Sequence, residues 1–446
     1  MSLPDPALLE TLAARALEAA QRAGATQAEA SVSTSRALTV NVRKGEVESV
    51  EFQKDRDLTL TVYFGHRMGS ASTADLSDSG IATTVAAACD IARVAGEDPC
   101  FGLARAELLC RPPPQGFADL SLVHPWSLTP EQAADLARVA EEAAFAADPR
   151  IAQSEGASAD TREGLSIYAN SHGFTGVRRS TDHSLSCSVI AKASDKMQNG
   201  SDYTSARDPV ALRKPEAVGR EAGLRAAARL GARSLSTRSA PVVLTPEVAR
   251  GLIGQFLSAI SGGALYRKAS FLLGRVDTPV FAPHVHIHQR PHLPGAAASG
   301  WFDSEGVAAT DRTLIDAGTL TGYLLGSYAA RRLGLETTGN AGGAFNIVVE
   351  PGALDHNGLR RQMHTGLVVT GLMGQGVNLV TGDYSRGAEG FWVENGEIVH
   401  PVEEITIAGN LAQMFSSLVA VGSDVDTRGL VRCGSLLLAP MTIAGS

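Results

Sequence analysis

The stretch Gly374-Gln-Gly-Val-Asn-Leu-Val-Thr-Gly-Asp-Tyr-Ser-Arg-Gly-Ala-Glu-Gly-Phe-Trp-Val-Glu-Asn-Gly396, running on to Glu404-Ile-Thr-Ile-Ala-Gly-Asn410, decides how this chain is read. Val377 and Leu379, then Phe391 and Val393, alternate with smaller or polar residues, which is the period of half-buried strands. Asn395-Gly396 separates Phe391-Trp-Val-Glu from Glu397-Ile-Val-His and predicts a two-residue hairpin. A type I′ turn needs positive φ twice, and Asn-Gly tolerates that best. Glu404-Ile-Thr-Ile-Ala is a further strand. Asn410 then stands as an N-cap ahead of Leu411, Met414, Phe415 and Leu418 at helical spacing. Between Gly382 and Gly387, the polar cluster Asp383, Tyr384, Ser385 and Arg386 reads from its residues as a solvated turn, with Asp capping backbone donors.

Outward from there, 446 residues are too many for one ordinary core, and two domains are expected. Hydrophobic content of 44% and charged content of 19% fit a soluble globular protein. A net charge of −8 and the lack of any Lys/Arg run argue against non-specific nucleic-acid binding, which displaces phosphate counterions with basic residues. Cys89, Cys100, Cys110, Cys187 and Cys433 are odd in number, scattered and without a C-x-x-C pair, the pattern of reduced thiols. No basic n-region precedes an apolar core near the start, and no apolar run approaches the ~18 residues of a membrane span. A cytoplasmic protein is the expectation.

An amphipathic helix is predicted over about 6–23, stopped by Gly24. Strands come next at 30–32, 38–42, 47–52 and 58–64, with a turn at Lys44-Gly45. A helix covers about 79–94, and Thr129-Pro-Glu-Gln132 opens another with a capping box. Strands at 165–168 and 184–191 flank Ser171-His-Gly173; a helix over 215–230 then leads to the polar linker 234–239. The second half is rich in strands and glycine, with helices at about 246–261, 320–333 and 410–420. Grouped helices and antiparallel hairpins argue α+β and against a doubly wound parallel sheet. The division expected is 1–234, an α/β-type sheet with helices, and 235–446, a curved, barrel-like antiparallel sheet capped by helices.

The C-terminal signature, together with Pro241-Val-Val-Leu-Thr-Pro246, Arg267-Lys-Ala-Ser270, Phe302-Asp-Ser-Glu-Gly306, Tyr323-Leu-Leu-Gly-Ser-Tyr-Ala-Ala-Arg-Arg-Leu-Gly334 and Thr338-Gly-Asn-Ala-Gly342, resembles the PmbA/TldD family, the modulators of DNA gyrase, in its PmbA (TldE) branch. In the TldD branch the helix after the first C-terminal strand carries His-Glu-x-x-x-His. Residues about one turn apart share a helix face, so both imidazoles reach one zinc ion. The matching stretch here, Thr245 to Ser261, keeps the cap, Pro246 and the apolar stripe Val248, Leu252, Phe256 and Ile260, but contains no histidine. Glu247 lies in its first turn, where a carboxylate favours the helix dipole.

The resemblance therefore implies a non-catalytic subunit, inactive alone, with no catalytic residue and no cofactor of its own. Zinc is expected on a TldD-like protease partner, in a heterodimer or larger assembly that processes peptides and unfolded proteins. It also raises a second reading of Asp383, Tyr384, Ser385 and Arg386, as a substrate-facing loop. Asn340, Gly342 and Gly343, in a run that forms either a flexible turn or a backbone-amide nest for a carboxylate, are further substrate-path candidates. Cys433 reads as a small buried hydrophobe.

Two rival functions have their own signals. His284, His286 and His288 alternate on a predicted strand and could grip a metal in an autonomous peptidase. No carboxylate or Cys lies within the run, and three ligands from one flat strand converge poorly, so a hydrated strand face is the other reading. The second rival is a binding protein acting on DNA gyrase or its toxin, as the family name suggests. A homodimer is open to the chain in isolation, because a surface built for a homologous partner can accept a copy of itself.

Overall fold

A computed structural model describes residues 3–445. Helix α1 (Pro6–Arg22) is capped by the Asp5 side chain, and Gly24 ends it at φ 92°. Three strands come after it, β1 (Gln27–Arg43), β2 (Glu46–Phe64) and β3 (Arg67–Thr73), then helices α2 (Asp78–Val94) and α3 (Pro130–Ala147). A second run comprises β4 (Ile151–Asn170), β5 (Thr175–Ala193), β6 (Lys196–Ala206) and helix α4 (Pro215–Ala228). These six strands form one antiparallel sheet in the order β3-β2-β1-β4-β5-β6, curled into a half-barrel. The strands are longer than expected. The segments at 30–32 and 38–42 are one strand, as are 47–52 and 58–64, because β1 and β2 pair with each other without a break through polar residues such as Thr34 and Lys54. Strand β6 has no counterpart among the expected elements; its buried positions are Gln198, Gly200, Asp202 and Thr204, which carry no apolar signal.

One face of this sheet is covered along its length. Ala28, Ala30 and Val32 of β1 join α1 and α2 in one core cluster. Farther along the same strand, Leu38, Val40 and Val42 join α3 and α4 in another. Even-numbered residues share a face, so both helix pairs lie on the same side. The opposite face carries hydroxyls, including Ser31, Ser33, Thr59, Thr61, Ser166, Ser186 and Ser188.

The second half begins with β7 (Arg238–Leu244), α5 (Pro246–Ala259) and α6 (Gly262–Tyr266). Next come β8 (Ile287–Gln289), β9 (Arg312–Asp316), β10 (Thr319–Leu320), α7 (Ser327–Leu333), β11 (Ile347–Val349) and α8 (His356–Met363). The chain ends in β12 (Gly366–Met373), β13 (Asp383–Glu394), β14 (Glu397–Asn410), α9 (Leu411–Ser416), β15 (Leu418–Val421), β16 (Val431–Arg432) and β17 (Leu436–Ala444). Strands β14-β13-β12-β7-β17 form a sheet that closes on itself, because β14 also pairs β17 from Thr406–Ala444 to Ala408–Thr442. A small sheet, β10-β9-β8-β11-β16, stands beside it. The barrel strands are apolar on both faces. Val242, Leu244, Leu367, Val369, Leu436 and Leu438 share a core with α5, while Val243, Val368, Val393 and Leu437 pack against Leu359 and Met363 of α8.

The hairpin at Asn395-Gly396 forms with φ 52° and 79°, as a type I′ turn requires, and the Asn410 side chain accepts from the Ala412 N–H. Three expectations shift. The helix expected from 320 begins at Ser327, after the short β10. Val377 and Leu379 lie outside β13, in the connection leading to it. Asp383 to Arg386 are strand residues, not a turn, because they pair with Asn410 to Ile407 of β14.

Candidate functional site

Helix α5 is the centre of the site. Thr245 is its N-cap and Pro246 its first residue, with φ already suited to the helix. Val248, Ala249, Leu252, Ile253, Phe256, Leu257 and Ala259 are buried. The outward face is left to Glu247, Arg250, Gly251, Gly254, Gln255 and Ser258. An added Cβ at Gly251 or Gly254 would meet nothing within 4 Å, so the middle of this face is open.

A cleft of about 850 Å³ lies at the N-terminal end of α5, between it, α4, β6 and the 424–428 segment. Its walls are held by ion pairs. Arg428 Nη2 reaches Glu247 Oε1 at 2.7 Å, and Arg225 Nη1 reaches Glu247 Oε2 at 3.2 Å. Asp202, whose side chain is wholly buried, takes Arg213 Nη1 at 2.6 Å. Arg428 Nε donates to Asp426 Oδ1 at 3.0 Å, and Arg229 pairs with Glu389. Burial alone would push the Asp426 carboxyl up; hydrogen bonds from Arg428 outweigh it and hold it below the usual range. Glu247 thus has a second role beside favouring the helix dipole, since two guanidinium groups from distant segments converge on it. Arg225, Arg428, Asp202 and Glu389 escape sequence reading because nothing in their spacing links them.

A second cleft, about 500 Å³, lies at the other end of α5, lined by Ser258, Ser261, Tyr266, Glu305, Tyr328 and the 340–344 segment. Gly342 and Gly343, both exposed and at positive φ, lie in its wall. Asn340 also lines it, but its amide is committed inward. Nδ2 donates to Gln289 Oε1 at 2.7 Å and to the Gly343 carbonyl at 3.1 Å, while Oδ1 accepts from Arg312 and Thr338. The expected amide nest exists in part, filled by the chain's own carboxylate. Asp303 accepts from the Ala341 N–H at 2.8 Å and from Glu305 and Val307 at 2.9 Å each. Burial pushes its carboxyl up to about 6 despite those three donors.

The other sequence candidates lie elsewhere. Asp383, Tyr384, Ser385 and Arg386 line neither cleft; Tyr384 is buried in the barrel core, and Arg386 Nε donates to the Met373 carbonyl at 3.2 Å. The histidine run is mostly not strand, since β8 starts only at Ile287. His284 is exposed, His286 Nδ1 lies 3.1 Å from Asp316, and His288 Nε2 lies 2.7 Å from Glu350. The three imidazoles therefore do not share a focus. Among the described residues, no group of three or more His, Cys, Asp or Glu is placed to hold a metal ion. On α5 the outward donors are Glu247, Gln255 and Ser258, and Glu247 is already paired. That set does not fit catalytic zinc, which takes three protein ligands drawn mainly from His, Cys and carboxylate. Cys433 is fully buried, and burial raises its thiol. No helix among the described residues is long and apolar enough to cross a membrane.

Comparison with known proteins places this geometry. Residues 28–92, 123–230 and 237–445 match the models of PmbA/TldA metallopeptidase domain 1, central domain and C-terminal domain. The metalloprotease PmbA of Escherichia coli O157:H7 is 48% identical over 438 residues, covering 98% of this chain and 96% of that protein. A candidate modulator of DNA gyrase from Bacteroides thetaiotaomicron superposes with a TM-score of 0.92 at 29% identity, covering 98% of this chain and 99% of that one. TldE of Thermococcus kodakarensis shares the fold, with a TM-score of 0.84 at 19% identity over 98% and 99% of the two chains. With all three domain models matched and near half of its residues identical to PmbA, the chain belongs to the PmbA/TldD family.

Proposed function

We propose that this chain is the non-catalytic, TldE-type subunit of a two-subunit metallopeptidase, and that a TldD-like partner carries the zinc. The observation that supports this is the outward face of α5, where Gly251, Gly254, Gln255 and Ser258 leave a smooth open lane. A helix that kept its cap, its proline and its buried stripe while presenting glycine outward suits guiding a substrate better than polarising water. The lane runs between the two clefts, and the Gly342–Gly343 wall adds no side chain of its own. An extended peptide bound through its backbone would be accepted with little regard to sequence, which suits a subunit that serves many peptides and unfolded segments. The cytoplasm is the compartment proposed, supported by five cysteines that are all free.

Co-expression with a TldD-like protein, co-purification and a peptide-cleavage assay test the reading. The pair is expected to cleave peptides, the partner alone to lose that activity, and this chain alone to show neither cleavage nor stoichiometric zinc. Cleavage by the partner that is unchanged when this subunit is left out would overturn it. So would chelator-sensitive cleavage by the isolated chain.

A further inference from the structure

A pocket of about 260 Å³ lies between the hydroxyl face of the open sheet and the 302–305 segment of the second half. It shares only Glu305 with the second cleft. Ser31, Thr59, Thr61 and Ser166 form its floor, and Phe302, Ser304 and Glu305 its roof. Hydroxyls both donate and accept, so this floor can solvate charge of either sign.

Charges of both signs line the pocket, and none of them is paired. Among the described residues, Glu29 and Glu305 take only neutral donors. Tyr63 and Tyr168 donate to Glu29 at 3.1 and 2.7 Å, and the Ser327 N–H donates to Glu305 at 2.9 Å. Burial raises the Glu29 carboxyl, and the charge of Glu305 adds to that rise. Arg178 makes no ion pair either. Its guanidinium lies over the Phe302 ring, 4.4 Å from the centroid, and donates to the Phe302 carbonyl. Asp303, the acid whose charge it feels, is already taken by three main-chain N–H groups. The sheet itself keeps the opposite charges apart. Arg178 is level with Ser166 and Ser33, two strands from β1, and Glu29 lies four residues farther along β1. Strand spacing sets the two Cα atoms about 17 Å apart, too far for the side chains to pair directly.

We infer that this pocket binds a small zwitterion, a free α-amino acid or a dipeptide, with its ammonium on Glu29 and Glu305 and its carboxylate on Arg178. Charged groups withdrawn from water are normally paired, and one molecule carrying both charges supplies both missing partners. An anion alone would face two carboxylates, and a cation alone would face the guanidinium. The volume lies below that of sites for drug-sized ligands, about 300–1,000 Å³, so the occupant is small. A longer peptide cannot bring both of its ends into one such pocket. The inference does not depend on the role proposed for α5, since it needs neither a partner subunit nor cleavage.

The test is isothermal titration calorimetry on the full-length chain, purified alone, with the common L-amino acids, glycine and glycylglycine as probes. At least one is expected to bind. Its N-acetyl and amide forms, which each lack one charge, are expected to bind about tenfold more weakly or worse. Glu29→Gln is expected to weaken the free probe and leave the N-acetyl form unchanged. Arg178→Gln should do the same for the amide form, so that each variant erases the preference at its own end. Glutamine at 29 keeps an acceptor for the two tyrosines, and Arg178 is exposed, so both variants are expected to melt like the parent chain. The blocked probes decide the question on the unaltered chain whatever the variants do. No binding of any probe up to about 10 mM would overturn the inference, as would blocked forms that bind as tightly as the free ones.

Discussion

The open sheet and the closed barrel solve the same packing problem with opposite materials. Helices α3 and α4 meet where Gly219 and Gly223 lie against Ala140 and Ala144, residues small enough for two backbones to touch. The barrel core is filled instead with large side chains, among them Phe256, Phe281 and Phe415 in mutual ring contact. Small residues gain little apolar area each, so the first half depends on closeness over a wide sheet and leaves one face polar. The barrel gains more per residue and has fewer edges. Labour is divided accordingly: the barrel fixes α5, while the open sheet supplies surface.

The largest test of that contrast is Phe256→Ala. The ring is fully buried, with centroids 5.1 Å from Phe281 and 6.1 Å from Phe415. Truncation is expected to cost about 3–5 kcal/mol, read as a fall in the denaturant midpoint. A loss below about 1 kcal/mol, within the range of a surface change, would mean that large side chains are not what holds the barrel.

Between the halves sits Asp303, buried on the second-half side of the boundary and pushed up from 3.8 to about 6 by desolvation. The folded form therefore holds its proton to higher pH than the unfolded chain does. The stability it contributes is complete below about pH 4 and is lost as pH rises from about 4 to about 6, a change of at most about 3 kcal/mol. Burial raises the Glu29 carboxyl too, so the sign is shared. Asp303→Asn is expected to flatten the fall of stability over this window, measured as urea midpoints against pH. An unchanged slope would remove Asp303 as its source.

Two glycines sharpen the comparison further because the same substitution should act with opposite sign. A Cβ at Gly219 would lie 1.7 Å from the Ala140 carbonyl oxygen, so Gly219→Ala must push α3 and α4 apart, at a cost of about 1–3 kcal/mol. Gly254, on α5, has open space, and Gly254→Ala is expected to stabilise by about 0.5–1 kcal/mol through the lower entropy of the unfolded chain. Paired thermal melts decide it. Destabilisation at both positions would show that the α5 face is not open.

Much of the architecture is legible in the sequence where one period dominates. Hairpin Asn395-Gly396, the Asn410 cap and the buried stripe of α5 all come from local chemistry. Strand β1 reads as fragments and β6 is not read at all because polar residues such as Thr34 and Gln198 sit on their covered faces, where tertiary packing sets burial. Asp383 to Arg386 look like a turn because charge and flanking glycine imitate one, whereas β14 supplies a ladder that no local signal reveals. The site divides in the same way. The lack of histidine on α5 is visible in one segment, but the convergence of Arg225 from α4 and Arg428 from the 424–428 segment on Glu247 needs three distant segments at once.

The smallest expected effect separates two helices whose first residues are nearly the same, Thr129-Pro-Glu-Gln in α3 and Thr245-Pro-Glu-Val in α5. At α3 the reciprocal capping box forms: the Gln132 N–H donates to Thr129 Oγ1 at 3.3 Å, and the Thr129 N–H donates to Gln132 Oε1 at 3.0 Å. At α5, valine occupies the third position and Thr245 makes no side-chain cap bond. Its backbone N–H is instead held by the Val369 carbonyl of β12 at 3.1 Å, so the barrel sets the start of this helix. Thr129→Ala is therefore expected to cost about 1 kcal/mol, and Thr245→Ala less than about 0.5 kcal/mol. Urea midpoints of the two variants measure the difference. Equal losses would mean that the box at α3 contributes nothing beyond what a neighbouring strand supplies at α5.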